Sequence, residues 1–163
     1  MRSFWQYVIF LFTATNQHGV HSPFVYQFVT KGLYKKQKTV NNKMLSVLQK
    51  TISYFNISAI HIIGSTEVAE KIQQHIPEIV ISKKEPVLLV FLEKLTDFPK
   101  ITALETNNDT IIFVPHLYKK ASQLAEWNTL IQNSKLHVSI DLFFCGLLFY
   151  RQEQAKEHFR IRI

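Results

Sequence analysis

The sequence predicts an α/β domain built on a mostly parallel sheet, and three observations carry that prediction. After residue 58, short β-branched or apolar runs alternate with segments whose apolar residues recur at helical spacing. Two of the runs, "PVLLVFL" at 86–92 and "DTIIFV" at 109–114, are apolar without alternation, as in strands covered on both faces. The last stretch of the chain sets three strand-like runs too close together for intervening helices, so at least one antiparallel hairpin ends the sheet.

The first 56 residues precede that pattern and read as helices. Phe4, Trp5, Val8, Leu11, Phe12 and Thr15 fall on one face, which suits an amphipathic helix docked on the domain through that face. A short secretion signal is the alternative for this apolar run, which is too short to span a membrane, and no transmembrane segment is expected. "HGVHSPFV" at 18–25 then poses a choice between a histidine metal site and a helix junction. Ser22 can cap free amides, and Pro23 at the first helical position gives up an amide that has no helical partner. A second helix over 23–34 follows, with Phe24, Val25, Phe28, Val29 and Leu33 recurring at three and four. His18 and His21 lack a further donor at metal-ligand spacing, so no metal is expected. In the junction, Gly19 lets the chain reverse and the histidines hydrogen-bond across the turn to the sheet. Residues 35–40 are a polar break, and Met44, Leu45, Leu48, Ile52 and Phe55 mark a third helix that Asn56 closes.

In the sheet portion, residues 59–63 form the first strand, Gly64 the tight turn and 65–76 a helix through Val68, Ile72 and Ile76. Residues 78–82 and 86–92 are the second and third strands. The stretch 95–105 has room for a short helix, 109–114 is a strand broken by Pro115, and 117–133 is the next helix. Runs at 137–142, 146–151 and 158–163 complete the sheet. Parallel strands joined by helices take right-handed crossovers, which gives a doubly wound sheet. No repeat or second domain is visible: 1–163 is a single domain, with N-terminal helices at 1–56 and the sheet portion at 57–163.

A chain of 163 residues can bury a core without disulfides or a structural metal. Its hydrophobic fraction of 47% and charged fraction of 19% exclude a disordered or low-complexity chain. The single cysteine, Cys145, makes neither an internal disulfide nor a multi-cysteine zinc site, which favours a reducing, cytoplasmic compartment. A net charge of +7, densest at Lys31, Lys35, Lys36, Lys38 and Lys43, raises nucleic-acid or anionic-membrane binding. Without an arginine cluster or aromatic and basic alternation, a solvated helix end is preferred, and nucleic-acid binding is an alternative.

Two segments bracket the chain with a more specific signal, "HGVHSPFVYQFV" near one end and "HVSIDLFFCGLLFYRQEQAKEHFRIRI" at the other. With the layout of helices, alternating sheet and terminal hairpin, they resemble bacterial class I S-adenosylmethionine-dependent methyltransferase-like proteins. The resemblance implies a Rossmann-like sheet with S-adenosylmethionine across the carboxyl ends of the first strands. It also implies a glycine-rich turn beside the cofactor and an acidic residue for the ribose hydroxyls. Here "IHIIGSTEVAEKI" keeps Gly64, with Ser65 and Thr66, as the cofactor-binding candidates, and Ile62 stands where the family places an acid. Ser82, Lys83 and Lys84 occupy the ribose-binding position, with only Glu85 near. "VFLEK" stands where the family reads like "VFIDG", so Glu93 takes the acidic position and Lys94 the glycine. "IFVPH" leaves His116 as the titratable group at its strand end. The interval 81–86 is too short for the usual helix-strand-helix, so an outer strand is missing.

The resemblance therefore points to a shortened methyltransferase-like domain without catalysis, acting as a binding or partner module. The alternative is an active S-adenosylmethionine-dependent enzyme with an atypical site, with Glu93 and His116 as its acid-base candidates. Asp141 reads as a strand-end residue, Cys145 as a small buried residue and His61 as a core or interface histidine. The bare edge left by a missing strand calls for a covering N-terminal helix or a homodimer through that edge.

Overall fold

Strand β3 (Val87–Leu92) shows why the molecule needs helices on both sides of its sheet. Leu89 and Phe91 point to one face and Val90 and Leu92 to the other, and each is at most 1% exposed. A strand apolar on both faces must be covered twice. One cover comes from helices α2 (Pro23–Gln27), α3 (Lys43–Tyr54) and α4 (Thr66–His75) and the segment Phe28–Leu33, through residues such as Val25, Phe28, Leu48 and Ile72. The other comes from α5 (Ala121–Leu130) and a 3-10 segment (Leu95–Ala103), through Trp127, Leu95 and Ile101.

The computed structural model describes residues 2–36, 41–82 and 86–163, and the side chains from residue 4 onward within them. Its seven-stranded sheet has the order β2-β1-β3-β4-β6-β5-β7, with β1 Ala59–Ile63, β2 Val80–Ile81, β4 Thr106–Pro115, β5 Val138–Asp141, β6 Cys145–Phe149 and β7 Glu157–Arg160. β2, β1, β3 and β4 are mutually parallel. β6 is antiparallel to both β4 and β5, while β7 returns parallel to β5. The expected mostly parallel α/β sheet with a C-terminal antiparallel hairpin is therefore present. Only residues 142–144 join β5 to β6, too few for the crossover a parallel pair requires.

Local chemistry sets the ends of the helices. Ser22 Oγ accepts from Val25 N at 3.3 Å with Pro23 at the first helical position, and Asn42 caps α3 by accepting from Leu45 N at 3.1 Å. Asn56 ends α3 in the left-handed region at φ 53°, as its short polar side chain allows. The second helix differs from expectation beyond Gln27, where Phe28–Leu33 widens into a π-helical segment. This wider turn stays on the core: Phe28 is fully buried against Tyr54, Phe55 and Phe149. The second strand shortens to two residues. Pro115, expected to break its strand, instead closes β4 opposite Cys145.

The largest correction concerns the first helix, α1 (Arg2–Thr13). The face expected to dock is largely exposed: Phe4 is 64% accessible, Trp5 63% and Phe12 86%. Tyr7 and Phe10 make the contact instead, with ring centroids 4.8 and 5.4 Å from that of Phe143. Phe143 stands at φ 68° in the β5–β6 turn, where Asp141 Oδ1 accepts from its amide at 2.8 Å. The chain then adds Thr15 to the outer edge of β7: Thr15 N donates to Arg160 O and Arg162 N to Thr15 O, at 2.8 and 2.9 Å. The N-terminal helix thus packs near the β7 edge rather than over the β2 edge it was expected to cover. At β2, Val80 and Ile81 remain exposed, and no strand pairs outside it among the described residues.

His18 and His21 are exposed, and neither imidazole makes the expected hydrogen bond to the sheet portion; Ser22 Oγ reaches Gln154 Oε1 there at 3.3 Å. The junction reading stands without them, because a Cβ at Gly19 would strike Thr15. Among the described residues, no helix is long and apolar enough to cross a membrane.

One histidine on the last strand ties stability to pH. His158 Nδ1 lies 2.8 Å from Ser139 Oγ and its ring meets Trp127 edge-on. Desolvation of the ring beside Trp127, then the Arg160 charge, lowers its pKa from 6.5 to about 4, although the residue as a whole stays exposed and solvent screening reduces its share of the stability. The unfolded chain binds this proton more readily, so its contribution to stability is lost as pH falls from the ordinary histidine range toward that value. Between about pH 7 and about pH 4.5 the wild-type melting temperature should fall further than that of His158→Gln. Parallel melting curves would discard this role.

Candidate functional site

Adjacent strands deliver the site's central pair. Ile63 at the end of β1 lies opposite Leu92 at the end of β3, and Glu93 N donates to Ile63 O at 2.9 Å. Gly64 and Glu93 therefore leave the sheet side by side at its carboxyl edge. Glu93 then turns onto its neighbour: Oε2 accepts from Ser65 N at 2.7 Å. An ideal Cβ at Gly64 would lie 2.8 Å from Glu93 Oε2 and 2.9 Å from Glu93 Cβ, so this close approach requires glycine. Ser65 Oγ caps α4, accepting from Val68 N at 3.4 Å, and the carboxylate thus sits at the positive end of a ten-residue helix.

The other wall begins where β4 ends. His116 takes φ 56°, a region few non-glycine residues enter. Its amide donates to Phe144 O at 2.8 Å, and its carbonyl accepts from Lys119 N at 3.0 Å. Gln123 Nε2 secures the preceding carbonyl of Pro115 at 2.7 Å. Burial lowers the proton affinity of the His116 ring below the ordinary histidine range, and the Lys119 and Lys71 charges lower it further. The shift favours the neutral imidazole, the form that accepts a proton or a hydrogen bond.

Between these walls lies a cleft of about 530 Å³, in the range that holds small molecules and cofactors. It opens at the carboxyl ends of β1, β3 and β4, where β1 has β2 on one side and β3 on the other. In an open α/β sheet this reversal of strand order is the place ligands collect.

Ser65, Glu93 and His116 all line the cleft, so the structure brings these sequence candidates together. No hydrogen bond joins Glu93 to His116. Gly64 lies behind Glu93, while Thr66 starts α4 as an exposed residue outside the lining. Lys83, Lys84 and Glu85 lie outside the described residues, as does Lys38 of the basic stretch. Ile62, expected to stand where the resembling family has an acid, packs against the core and offers no acceptor.

Sequence reasoning missed the lysines of the cleft. Lys71 comes from α4, Lys94 follows Glu93, and Lys119 and Lys120 lie between β4 and α5. Four lysines thus face Glu67, Glu93 and Glu126 across it, and Glu93 is already engaged by Ser65 N. The pair following His116 was the available signal. Met44 and Leu45 of α3 also line the cleft, which makes the N-terminal helices part of the site.

Three other candidates are structural. Asp141 is buried, its Oδ2 accepting from Tyr118 OH at 2.6 Å with Arg160 Nε at 3.5 Å. Cys145 is fully buried, and burial pushes its thiol well above the usual range, so it makes no thiolate nucleophile. His61 is half-buried within β1. No group of three or more His, Cys, Asp or Glu side chains suited to a metal occurs among the described residues. Compared with models of protein families, with curated proteins and with solved structures, the chain matches none.

The contact of Gly64 with Glu93 has a measurable cost of disruption. Gly64→Ala should lower stability by about 1–3 kcal/mol, the usual range for overpacking a close contact. A urea midpoint unchanged from wild type would show that the turn has room the structure denies it.

Proposed function

We propose that the chain is a methyltransferase-like α/β domain that has lost methyl transfer and acts as a binding module, with the cleft between Ser65, Glu93 and His116 as its ligand site. The observation that carries this reading is the Glu93 carboxylate, which occupies the Gly64–Ser65 turn and takes the Ser65 amide at 2.7 Å. In the resembling family this turn must stay open for the methionine end of the cofactor.

Two further features support the same reading. Deleting the outer third strand from the doubly wound order 3-2-1-4-5 leaves 2-1-4-5, which corresponds to β2-β1-β3-β4. The lost strand belongs to the side that covers the adenine. The lysines around His116 also disfavour S-adenosylmethionine, whose sulfonium and ammonium outweigh its single carboxylate. With four lysines against three glutamates, the lining carries one net positive charge, which leans toward a small anionic ligand instead.

Calorimetric titration with S-adenosylmethionine tests the reading. No saturable heat is expected from the wild-type protein, and tight saturable binding would overturn it. The alternative, an active enzyme with an atypical site, draws on the His116 imidazole and the Glu93 carboxylate lining one cleft. It requires Glu93→Gln to abolish methyl transfer on cell extract; activity equal to wild type would remove Glu93 from that scheme.

A further inference from the structure

The exposed side of α1 is the largest feature the cleft leaves unexplained. At 100° per residue, Trp5, Ile9 and Phe12 fall within about 60° of one another, with Phe4 flanking them. The docked residues Tyr7 and Phe10, with Ala14 just beyond the helix, lie on roughly the opposite face. Both faces are apolar. The polar residues Arg2, Gln6 and Thr13 fall on one flank between them, and an apolar helix face is normally buried or set in lipid, yet Trp5 is 63% exposed, Ile9 58% and Phe12 86%. Single exposed apolar residues are ordinary, but a contiguous group on one helix calls for something to cover it.

Charge identifies the cover. No Asp or Glu occurs before Glu67, while Arg2, Lys31, Lys35, Lys36, Lys38, Lys43 and Lys50 all precede it. The other twelve lysines and arginines equal the twelve acidic residues that follow, so the whole net charge of +7 belongs to the first 66 residues. One of these cations, and one from beyond residue 66, stand against α1 itself. Lys43 Nζ lies 6.0 Å from the Tyr7 ring, and Arg162 Nη1, from the far end of the chain, donates to Leu11 O at 3.2 Å.

We infer that α1 is a membrane-surface anchor, its Phe4, Trp5, Ile9 and Phe12 face entering the headgroup region of an anionic phospholipid bilayer. Twelve residues rise about 18 Å, well short of the roughly 30 Å hydrocarbon core, so the helix lies in the interface. Trp and Phe suit that depth, and the net positive charge of the first 66 residues draws the chain to an anionic surface. A second copy is the poorer cover, because a two-fold contact through α1 would bring two acid-free cationic segments together. The Thr15 pairing to β7 holds the face outward from the domain. This inference does not depend on what the cleft binds.

Flotation of the full chain with vesicles tests it. The protein should rise with phosphatidylglycerol and phosphatidylcholine vesicles, stay behind with phosphatidylcholine alone, and release as salt is raised. Trp5 emission should shift to the blue and resist iodide quenching on binding; Trp127, the other tryptophan, is 1% exposed and contributes no such change. Trp5→Ser with Phe12→Ser should weaken flotation about tenfold or more, while thermal unfolding stays near wild type. Failure of the wild type to float with anionic vesicles would overturn the inference, as would flotation indifferent to the two substitutions. So would a dimer in sedimentation that they dissociate, or RNA retention that they leave intact, if either appears without vesicle binding.

Discussion

Burial of the central strands on both faces is the constraint from which the rest follows. Leu89 to Leu92 in β3, Ile111 to Val114 in β4 and Leu147 to Phe149 in β6 have almost no access to solvent. Their main-chain groups are paired in the ladder, and their side chains demand a helical layer above and below. Once both faces are covered, the carboxyl ends of β1, β3 and β4 are the polar openings that remain. The cleft is thus a consequence of the sheet's burial, and its chemistry is set by the few residues that follow those strand ends.

Among those residues, Glu93 packs onto the turn beside it. Its carboxylate does at the start of α4 what a bound anion often does at a helix N-terminus, engaging an amide and meeting the positive end of the dipole. The glycine beneath it serves that same side chain. A residue type associated with chemistry has become part of the local packing, and the positive groups across the cleft gain weight because one of the acids is already satisfied.

Much of the architecture was legible from the chain because it rests on short-range signals. Ser22 with Pro23, Asn56, and the uninterrupted apolar runs of β3 and β4 each carry their own physical instruction. The face of α1 was not legible, because both sides are apolar and periodicity alone cannot choose between them. The choice is made by Phe143, more than a hundred positions away, in a left-handed turn held by Asp141. The π-helical widening at Phe28 was hidden for a similar reason, since its cause is ring packing against Tyr54, Phe55 and Phe149. In the site, Gly64, Ser65, Glu93 and His116 were accessible as strand-end residues. The lysines from α4 and the approach to α5 needed the fold to bring them there.

The pairing of Thr15 with Arg160 and Arg162 sets an order of events on the ribosome. α1 is synthesised before the strand edge and turn that receive it, which follow more than a hundred residues later. Closing so long a loop is slow, and native contacts of this kind form late. Throughout elongation the helix therefore carries two unpartnered apolar faces, the state in which nascent chains are most open to aggregation and to capture by chaperones.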